Sequence, residues 1–294
     1  MLRVTNSMVN LQAQRELAKA RARLEERQRV ASSGQRVGQA ADDPAAAGEL
    51  VRLQGEAQAN TQFQRNIDHA MAELDTADSA LGNVTEVLHR ARELAVQMAN
   101  GTISAADRAV AAREMQGLRD QVVALANTRV GEVYIFGGHR TGQPPFAASG
   151  TYAGDTGQRS VEVEGGVVMN AGVSGAQAFT AAGGQDVLGV LASLSTALTA
   201  NDVDGIRTSL TSLESAANQV GSAHVSIGQQ VGALSQQRSF LTDRHLDIAQ
   251  HRSRVGDAEV TEALSGLVRA QTSLNAALEV SAKVLNSLSL VDRL

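Results

Sequence analysis

Glycine-rich stretches are the part of this sequence that most invites a search for chemistry, because such turns cradle phosphate groups in nucleotide-binding proteins. Gly150, Gly154 and Gly157 form one such stretch, but it lacks the strand–turn–helix context of a phosphate site. A phosphate-binding loop also needs a lysine directly after its glycines, and the only lysines are Lys19 and Lys283. We therefore interpret the stretch as a plain turn and expect no cofactor.

Candidate nucleophiles, acids and metal ligands also lack the context that catalysis needs. The segment Gly172–Ala176 contains a serine, yet a nucleophile elbow requires glycine where Ala176 stands. Asp42 and Asp43 are adjacent carboxylates, but the start of a helix explains them without acid–base chemistry. None of the histidines forms a zinc motif; they are His69, His89, His139, His224, His245 and His251. The sequence thus predicts no catalytic residue, no metal site and no enzyme.

The bulk composition argues against several other functional classes. Of the 294 residues 43% are hydrophobic but only 2% are aromatic, which suits thin helix–helix seams better than a bulky core. The net charge of −5 gives no reason to expect a nucleic acid partner. No run approaches the roughly 18 apolar residues of a membrane helix, and the first residues lack the apolar run of a secretory signal. We expect neither membrane insertion nor a cleaved signal peptide, and the absence of cysteine excludes disulfides.

The elements that must carry any function are long helices with a heptad repeat. Apolar residues recur at 4-3 spacing over residues 63–98, which predicts a long helix with a coiled-coil-like seam. Asp43 and Pro44 suit its N-cap and first position. Ser104, with an aspartate three residues later, predicts the cap of a second helix, so an antiparallel helical hairpin is expected.

The second half of the chain repeats this pattern. The 4-3 spacing over residues 203–254 predicts a helix roughly 78 Å long at about 1.5 Å per residue. Gly221, Gly228 and Gly232 lie within it, and each costs about 1 kcal/mol relative to alanine in a helix. Either packing of its other residues stabilises this helix, or the glycines allow another backbone to approach it closely. The sequence leaves both alternatives open.

The two ends of the chain are predicted to pair with each other and with neighbouring copies. Residues 1–40 carry eight basic and three acidic side chains, a balance of +5, whereas residues 255–294 carry three basic and five acidic ones, a balance of −2. The opposite charges favour association of the two ends, mainly by guiding their encounter and setting the register of their pairing. Asp257 is a possible N-cap of the last helix. The predicted seam consists of Leu11, Leu17, Leu24, Val260, Leu264, Leu267, Leu274, Leu278, Leu285 and Leu288.

The middle of the chain has a different composition. Ser160–Glu164 alternates in polarity, Gly165 and Gly166 indicate a hairpin turn, and Val167–Met169 follows as a return strand. Val133–Phe136 is a further strand candidate, and an aspartate at 186 is expected to cap a short helix that runs to about residue 199.

Together these patterns predict a mainly α protein. We expect an elongated rod of long antiparallel helices with coiled-coil termini and a small inserted β-rich domain. The predicted division has three parts: residues 1–42 with 255–294 as a terminal coiled-coil inner domain, 43–132 with 186–254 as a helical rod domain, and 133–185 as a small outward domain.

Short motifs at both ends resemble the bacterial flagellin superfamily. At the N-terminal end they are Ser32, Ser33 and Gly34, followed by Asp42, Asp43 and Pro44; the C-terminal one runs from Gln271 through Leu290. Residues 3–8, 134–138, 144–146 and 152–155 resemble the hook–filament junction branch of the superfamily more than flagellin itself. The middle matches only through these flanking motifs.

This resemblance implies a structural subunit of the flagellum and no catalytic site. Its implied partners are the first hook-associated protein, flagellin, copies of itself in a ring, and a flagellar export chaperone at the C-terminal helix. It also implies type III export without a cleaved signal and an extracellular location between hook and filament. The alternatives are a short flagellin that forms the filament itself, and a cytoplasmic coiled-coil or signalling protein.

Overall fold

The computed structural model describes the backbone of residues 2–291 and the side chains of residues 8–283. The fold is mainly α, as predicted, with two small antiparallel sheets. The helices are α1 (Leu2–Ser33), α2 (Pro44–Met98), α3 (Ala105–Ala126), α4 (Gly175–Phe179), α5 (Val187–Thr199), α6 (Val203–Gly256) and α7 (Val260–Val291), with a 3-10 turn at Ala181–Gly183. The strands are β1 (Arg129–Val130), β2 (Val133–Tyr134), β3 (Ser160–Glu164) and β4 (Val167–Asn170).

Side-chain caps start the helices where the sequence predicts them. The Asp43 carboxylate accepts the Ala46 amide at 3.1 Å at the start of α2. Ser104 caps α3 and Asp186 caps α5 in the same way. These caps satisfy amides that have no partner inside the helix.

The predicted N-cap at Asp257 is wrong, because α7 begins only at Val260. The Asp257 amide instead donates to the Ser253 carbonyl at 2.9 Å and so continues the last turn of α6. The backbone of Asp257 also forms an isolated antiparallel bridge with Gln35.

The chain divides into two compact units, Met1–Ala59 with His245–Leu294 and Asn60–Arg244. We call them unit 1 and unit 2. Unit 1 contains α1, α7, the first turns of α2 and the last turns of α6. The predicted limits of the inner, rod and outward domains, at residues 42, 132, 185 and 254, describe layers of an assembly and stay predictions.

In unit 2 the heptad seams of α2 and α6 pack antiparallel. Asp68 pairs with Arg238 at 3.0 Å and Asp78 with His224 at 2.8 Å, so one residue number rises as the other falls. The apolar seam positions of both helices fill the core together with α3 and α5. The predicted seam positions Arg238 and His245 stay exposed. Buried seam residues include Ile67, Leu74, Leu81, Leu88, Ile206, Leu213, Val220, Ile227 and Leu234.

The middle of the chain contributes to this same core. β3 and β4 form the predicted hairpin, in which Val161 pairs with Met169. β2 is shorter than the predicted strand and pairs with β1. The Phe136 and Phe179 rings meet edge to face, 5.2 Å between centroids, and both side chains are fully buried.

The three glycines inside α6 make no close approach to the rest of the chain. A Cβ atom added at Gly221, Gly228 or Gly232 would meet no described atom within 4 Å. Of the two alternatives left open by the sequence, packing by the other residues of α6 is the one the structure shows.

Candidate assembly surfaces

The terminal helices α1 and α7 pack side by side within unit 1. They run antiparallel, because Val9 and Ala13 line the same groove as Ala277 and Ser281 near the end of α7. Near the start of α7, Gly266 lies close to the end of α1, because a Cβ added at Gly266 would be 3.4 Å from Arg27 Cδ. Partly or fully buried residues include Ala13, Leu17, Ala20 and Leu24 on α1, and Ala263, Leu267, Ala270, Leu274 and Ala277 on α7.

The predicted seam residues divide into three groups. Leu17, Leu24, Leu267 and Leu274 are half-buried. Leu285 and Leu288 have side chains outside the described residues. The remaining four stay exposed: Leu11 at 49%, Val260 at 68%, Leu264 at 52% and Leu278 at 42%.

These exposures show that α7 has two neighbouring apolar faces. One face contains Ala263, Leu267 and Leu274 and packs against α1. The second consists of Val260, Leu264, Val268 and Leu278, and we call it the open face of α7. At about 100° per residue the two faces are roughly a quarter turn apart. The open face is therefore available to another helix.

The N-terminal flagellin-like motif runs from Ser32 and Ser33 at the end of α1, through the loop, to Pro44 at the start of α2. Gly34 has φ +70°, a left-handed conformation that favours glycine, and its amide donates to the Val30 carbonyl at 3.0 Å. Ser32 Oγ donates to the Arg29 carbonyl, and Ser33 Oγ accepts the Gln35 amide. These contacts end α1 and turn the chain toward α2.

Asp42 holds the loop closed. Arg29 donates through both terminal nitrogens to its two carboxylate oxygens at 3.0 and 2.9 Å. The Gly38 and Gln39 amides donate to Asp42 Oδ2 as well. The Arg29 hydrogen bonds, followed by that from the Gln39 amide, lower the pKa of Asp42 to about 2.

Asp43 links the same loop to the end of α6. Its carboxylate accepts the Ala46 amide and Arg36 Nη1, the latter at 3.1 Å. The Ala46 amide first, and then Arg36, lower the pKa of Asp43. Arg36 Nη2 donates to the Val255 carbonyl at 2.7 Å, so one guanidinium joins the two connections.

Backbone hydrogen bonds complete this link. The Arg36 and Val37 amides donate to the Gly256 carbonyl at 2.8 and 3.2 Å, and the Ala258 amide donates to the Gly34 carbonyl at 2.8 Å. We call the contact between residues 34–43 and 255–258 the interloop clasp. A groove of about 430 Å³, lined in part by Val37 and Leu50, lies beside it.

Sequence reasoning found the acidic half of the clasp but missed its partners. The sequence patterns indicate no role for Arg29 or Gly256, and Arg36 stands out only as part of the motif segment 31–37. Gly256 has a packing reason, because an added Cβ would lie 3.1 Å from Leu50 Cδ2. The excess of basic residues in the N-terminal segment indicates that some arginines pair with acidic groups. It does not indicate which arginines contact Asp42 and Asp43.

The histidines and acidic side chains outside the clasp were also candidates for chemistry. His224, on the long seam of α6, has its Nε2 2.8 Å from Oδ1 of Asp78 on α2. Across residues 8–283 no group of three or more His, Asp or Glu side chains is arranged to hold a metal ion. No described helix is both long and apolar enough to span a membrane.

Comparison with known proteins gives consistent results. Residues 4–141 match the bacterial flagellin N-terminal helical region. Flagellar hook-associated protein 3 of Salmonella typhimurium is 31% identical over 83% of this chain and 85% of its own length. A flagellin of Listeria monocytogenes is 23% identical over 93% of the chain and 94% of its own length.

A solved structure shares the fold. The flagellar junction protein FlgL of Legionella pneumophila superimposes with a TM-score of 0.57 at 17% identity, covering 71% of this chain and 100% of that one. The N-terminal match, the similarity to hook-associated protein 3 over 83% of this chain and the shared fold agree with the motif residues built into the clasp. The chain belongs to the flagellar hook-associated protein 3 family of the bacterial flagellin superfamily.

Proposed function

We propose that this chain is a structural, non-enzymatic subunit of the bacterial flagellum that joins the hook to the flagellin filament. The name of its Salmonella relative and the description of the Legionella structure as a junction protein support this proposal. The greater distance of the Listeria flagellin supports a junction role over that of a filament subunit.

The open face of α7 is the observation that carries an assembly role. Its four apolar side chains are between 42% and 68% exposed, although the neighbouring face of α7 is already packed against α1. Fully burying one such side chain is worth about 1.5–3 kcal/mol. Neighbouring subunits in a tube would cover this face.

The proposed partners follow from a position between two structures. Copies of this chain form a ring that contacts the first hook-associated protein on one side and flagellin on the other. Before export, a flagellar chaperone covers the C-terminal helix, and the chain then leaves the cell through the type III channel to act outside. The apolar open face gives the chaperone a surface to protect.

The proposed layers place residues 1–42 and 255–294 innermost, 43–132 and 186–254 in a helical rod, and 133–185 outward. The pairing of α1 with α7 supports the inner layer. The long heptad seams of α2 and α6 support the rod.

A reconstitution experiment tests the junction role. The purified full-length chain is examined by analytical ultracentrifugation and electron microscopy, alone and with the first hook-associated protein. We expect a monomer alone and a complex with that partner. Long filaments formed by the chain alone would overturn the junction role and favour a short flagellin.

Variants of the open face test which surface assembles. Leu264→Ser with Val268→Ser should weaken assembly at least about tenfold, since 1.4 kcal/mol corresponds to a factor of ten. Val110→Ser is the control, because Val110 is 56% exposed but belongs to α3 in unit 2. An equal effect of both changes would show that the open face has no special role.

A further inference from the structure

The connection between α2 and α3 contains an asparagine followed by glycine, Asn100-Gly101, and this pair occurs once in the sequence. It lies between the end of α2 at Met98 and the start of α3 at Ala105. Both residues are exposed, so water reaches them. Neither the proposed assembly role nor the clasp uses this site.

The side-chain carbonyl of Asn100 already has two hydrogen-bond donors. Its Oδ1 accepts the Thr102 amide at 3.2 Å and Thr102 Oγ1 at 3.1 Å. If a nucleophile attacks the side-chain carbon, this oxygen becomes an oxyanion. Donors placed at that oxygen stabilise such a transition state, as in an oxyanion hole.

Gly101 supplies the nucleophile with little steric obstruction. Its backbone amide nitrogen follows Asn100 directly, and glycine reaches conformations that other residues avoid. Its φ lies outside the left-handed region, and an added Cβ would meet nothing within 4 Å. Alanine at 101 would therefore fit the fold while restricting the backbone motion that attack requires.

We propose that Asn100 is a site of spontaneous intramolecular deamidation. The Gly101 nitrogen loses its proton to water or hydroxide and forms a bond to the Asn100 side-chain carbon. The carbon–NH2 bond then breaks, and ammonia leaves with one added proton. The resulting five-membered imide is opened by water at either carbonyl, which yields aspartate or isoaspartate at position 100 without any redox step.

The modification changes a contact that joins α2 to α3. The Asn100 main-chain oxygen accepts Arg108 Nη2 at 2.7 Å and the Ile103 amide at 3.2 Å. Aspartate adds a negative charge near the Arg108 guanidinium. Isoaspartate also lengthens the main chain by one carbon and displaces the carbonyl that Arg108 binds.

A second X-Gly pair serves as an internal comparison. Asp204-Gly205 could form the same imide, but it lies in the first turn of α6. There the Gly205 amide donates to Asp202 Oδ1 at 3.0 Å, and the helix holds the backbone away from the geometry of attack. The structure therefore assigns the reaction to residue 100 and not to residue 204.

The test follows the folded full-length chain in mildly alkaline buffer at physiological temperature. Peptide mapping by mass spectrometry locates the conversion of amide to carboxyl, and isoaspartyl methyltransferase labelling detects isoaspartate. We expect conversion at Asn100 and no isoaspartate at 204. An unchanged residue 100, or isoaspartate at 204 and not at 100, overturns the proposal.

Two variants distinguish the effect of the folded geometry on deamidation from the effect of the Asn-Gly sequence alone. Gly101→Ala should abolish most of the conversion while leaving the circular dichroism spectrum unchanged. Thr102→Ala removes the hydroxyl donor and should slow conversion in the folded chain but not in urea. Equal slowing in both conditions, or none in either, overturns the role assigned to Thr102.

Discussion

At the residue scale, Asp42 gives the clasp a dependence on acid. Its pKa is lowered from 3.8 to about 2 by Arg29 and the Gln39 amide. A depressed folded-state pKa means that the carboxylate contributes stability that is fully present above the unfolded pKa of 3.8 and is lost as the pH falls through about 2. The clasp should therefore weaken over that interval.

The substitution Asp42→Asn tests this expectation. It should lower the free energy of unfolding of unit 1 at neutral pH. The further decrease in that free energy between pH 3.8 and about 2 should become smaller than in the wild type. Urea unfolding at a series of pH values, read by hydrogen exchange in residues 34–43, measures the effect. Asp247→Asn on an exposed turn of α6 is the control, and the same flattening there would exclude Asp42 as the source.

Arg108 is a second residue whose role is local and structural. Its buried guanidinium donates to the Met98 carbonyl at 3.0 Å, to the Asn100 carbonyl and to Asn201 Oδ1. Its side chain therefore satisfies carbonyls at the end of α2 that lack partners within the helix.

Replacing Arg108 with alanine should cost about 2–4 kcal/mol, because buried acceptors lose a charged donor. Thermal and urea unfolding of unit 2 would measure this loss. Arg113→Ala on the exposed face of α3 should stay within about 0.5 kcal/mol of wild type. Similar losses for both variants would contradict a specific role for Arg108.

At the scale of elements, two glycines of unit 1 should respond in opposite directions to alanine. Gly34 has φ +70°, where a side chain costs about 1–2 kcal/mol, so Gly34→Ala should destabilise the end of α1. Gly55 lies in the helical interior of α2 with no atom within 4 Å of an added Cβ. Gly55→Ala should therefore stabilise by about 1 kcal/mol. Denaturant unfolding of unit 1 checks both signs, and the same sign for both would contradict the assigned backbone conformations.

The same scale shows where the predicted terminal seam needs refinement. The sequence predicts one seam of leucines and valines, yet α7 presents Leu267 and Leu274 to α1 and keeps Val260 and Leu264 exposed. A wide apolar stripe does not specify which part packs inside the chain. The exposed part is the surface on which assembly should depend.

At the scale of the whole molecule, the terminal helix should be separable from the core of unit 2. That core is formed by residues between Ile67 and Leu241, none of them in α7. Deleting residues 260–294 removes α7 and leaves the clasp residues 255–258 in place. We expect loss of assembly and of chaperone binding, with little change in the unfolding of unit 2.

Hydrogen exchange on the full-length and truncated chains would measure this separation. Amides of α3 and α5 should keep their protection after the deletion, whereas amides of α1 should lose theirs. Leu191→Ala is the positive control, because Leu191 is fully buried and its loss should lower protection in unit 2 by about 2–5 kcal/mol. Loss of protection in α3 and α5 on deletion would show that α7 belongs to the core fold.

Elements whose signals are local could be predicted from the sequence. Heptad spacing located the long helices, and Asp43, Ser104 and Asp186 marked helix starts because a cap acts on amides only two or three residues away. The hairpin at 160–170 followed from alternation around Gly165 and Gly166. The family followed from short motifs, which the comparisons confirmed.

Which of these elements meet, and through which residues, became visible only in the folded chain. Arg36 reaches the Val255 carbonyl 219 positions away, and Arg29 reaches Asp42 across 13. No local period encodes such contacts, since they depend on the path of the whole chain and on which face of each helix is already covered. The same reason applies to α7, whose sequence shows a broad apolar stripe but whose packing on α1 leaves Val260 and Leu264 exposed.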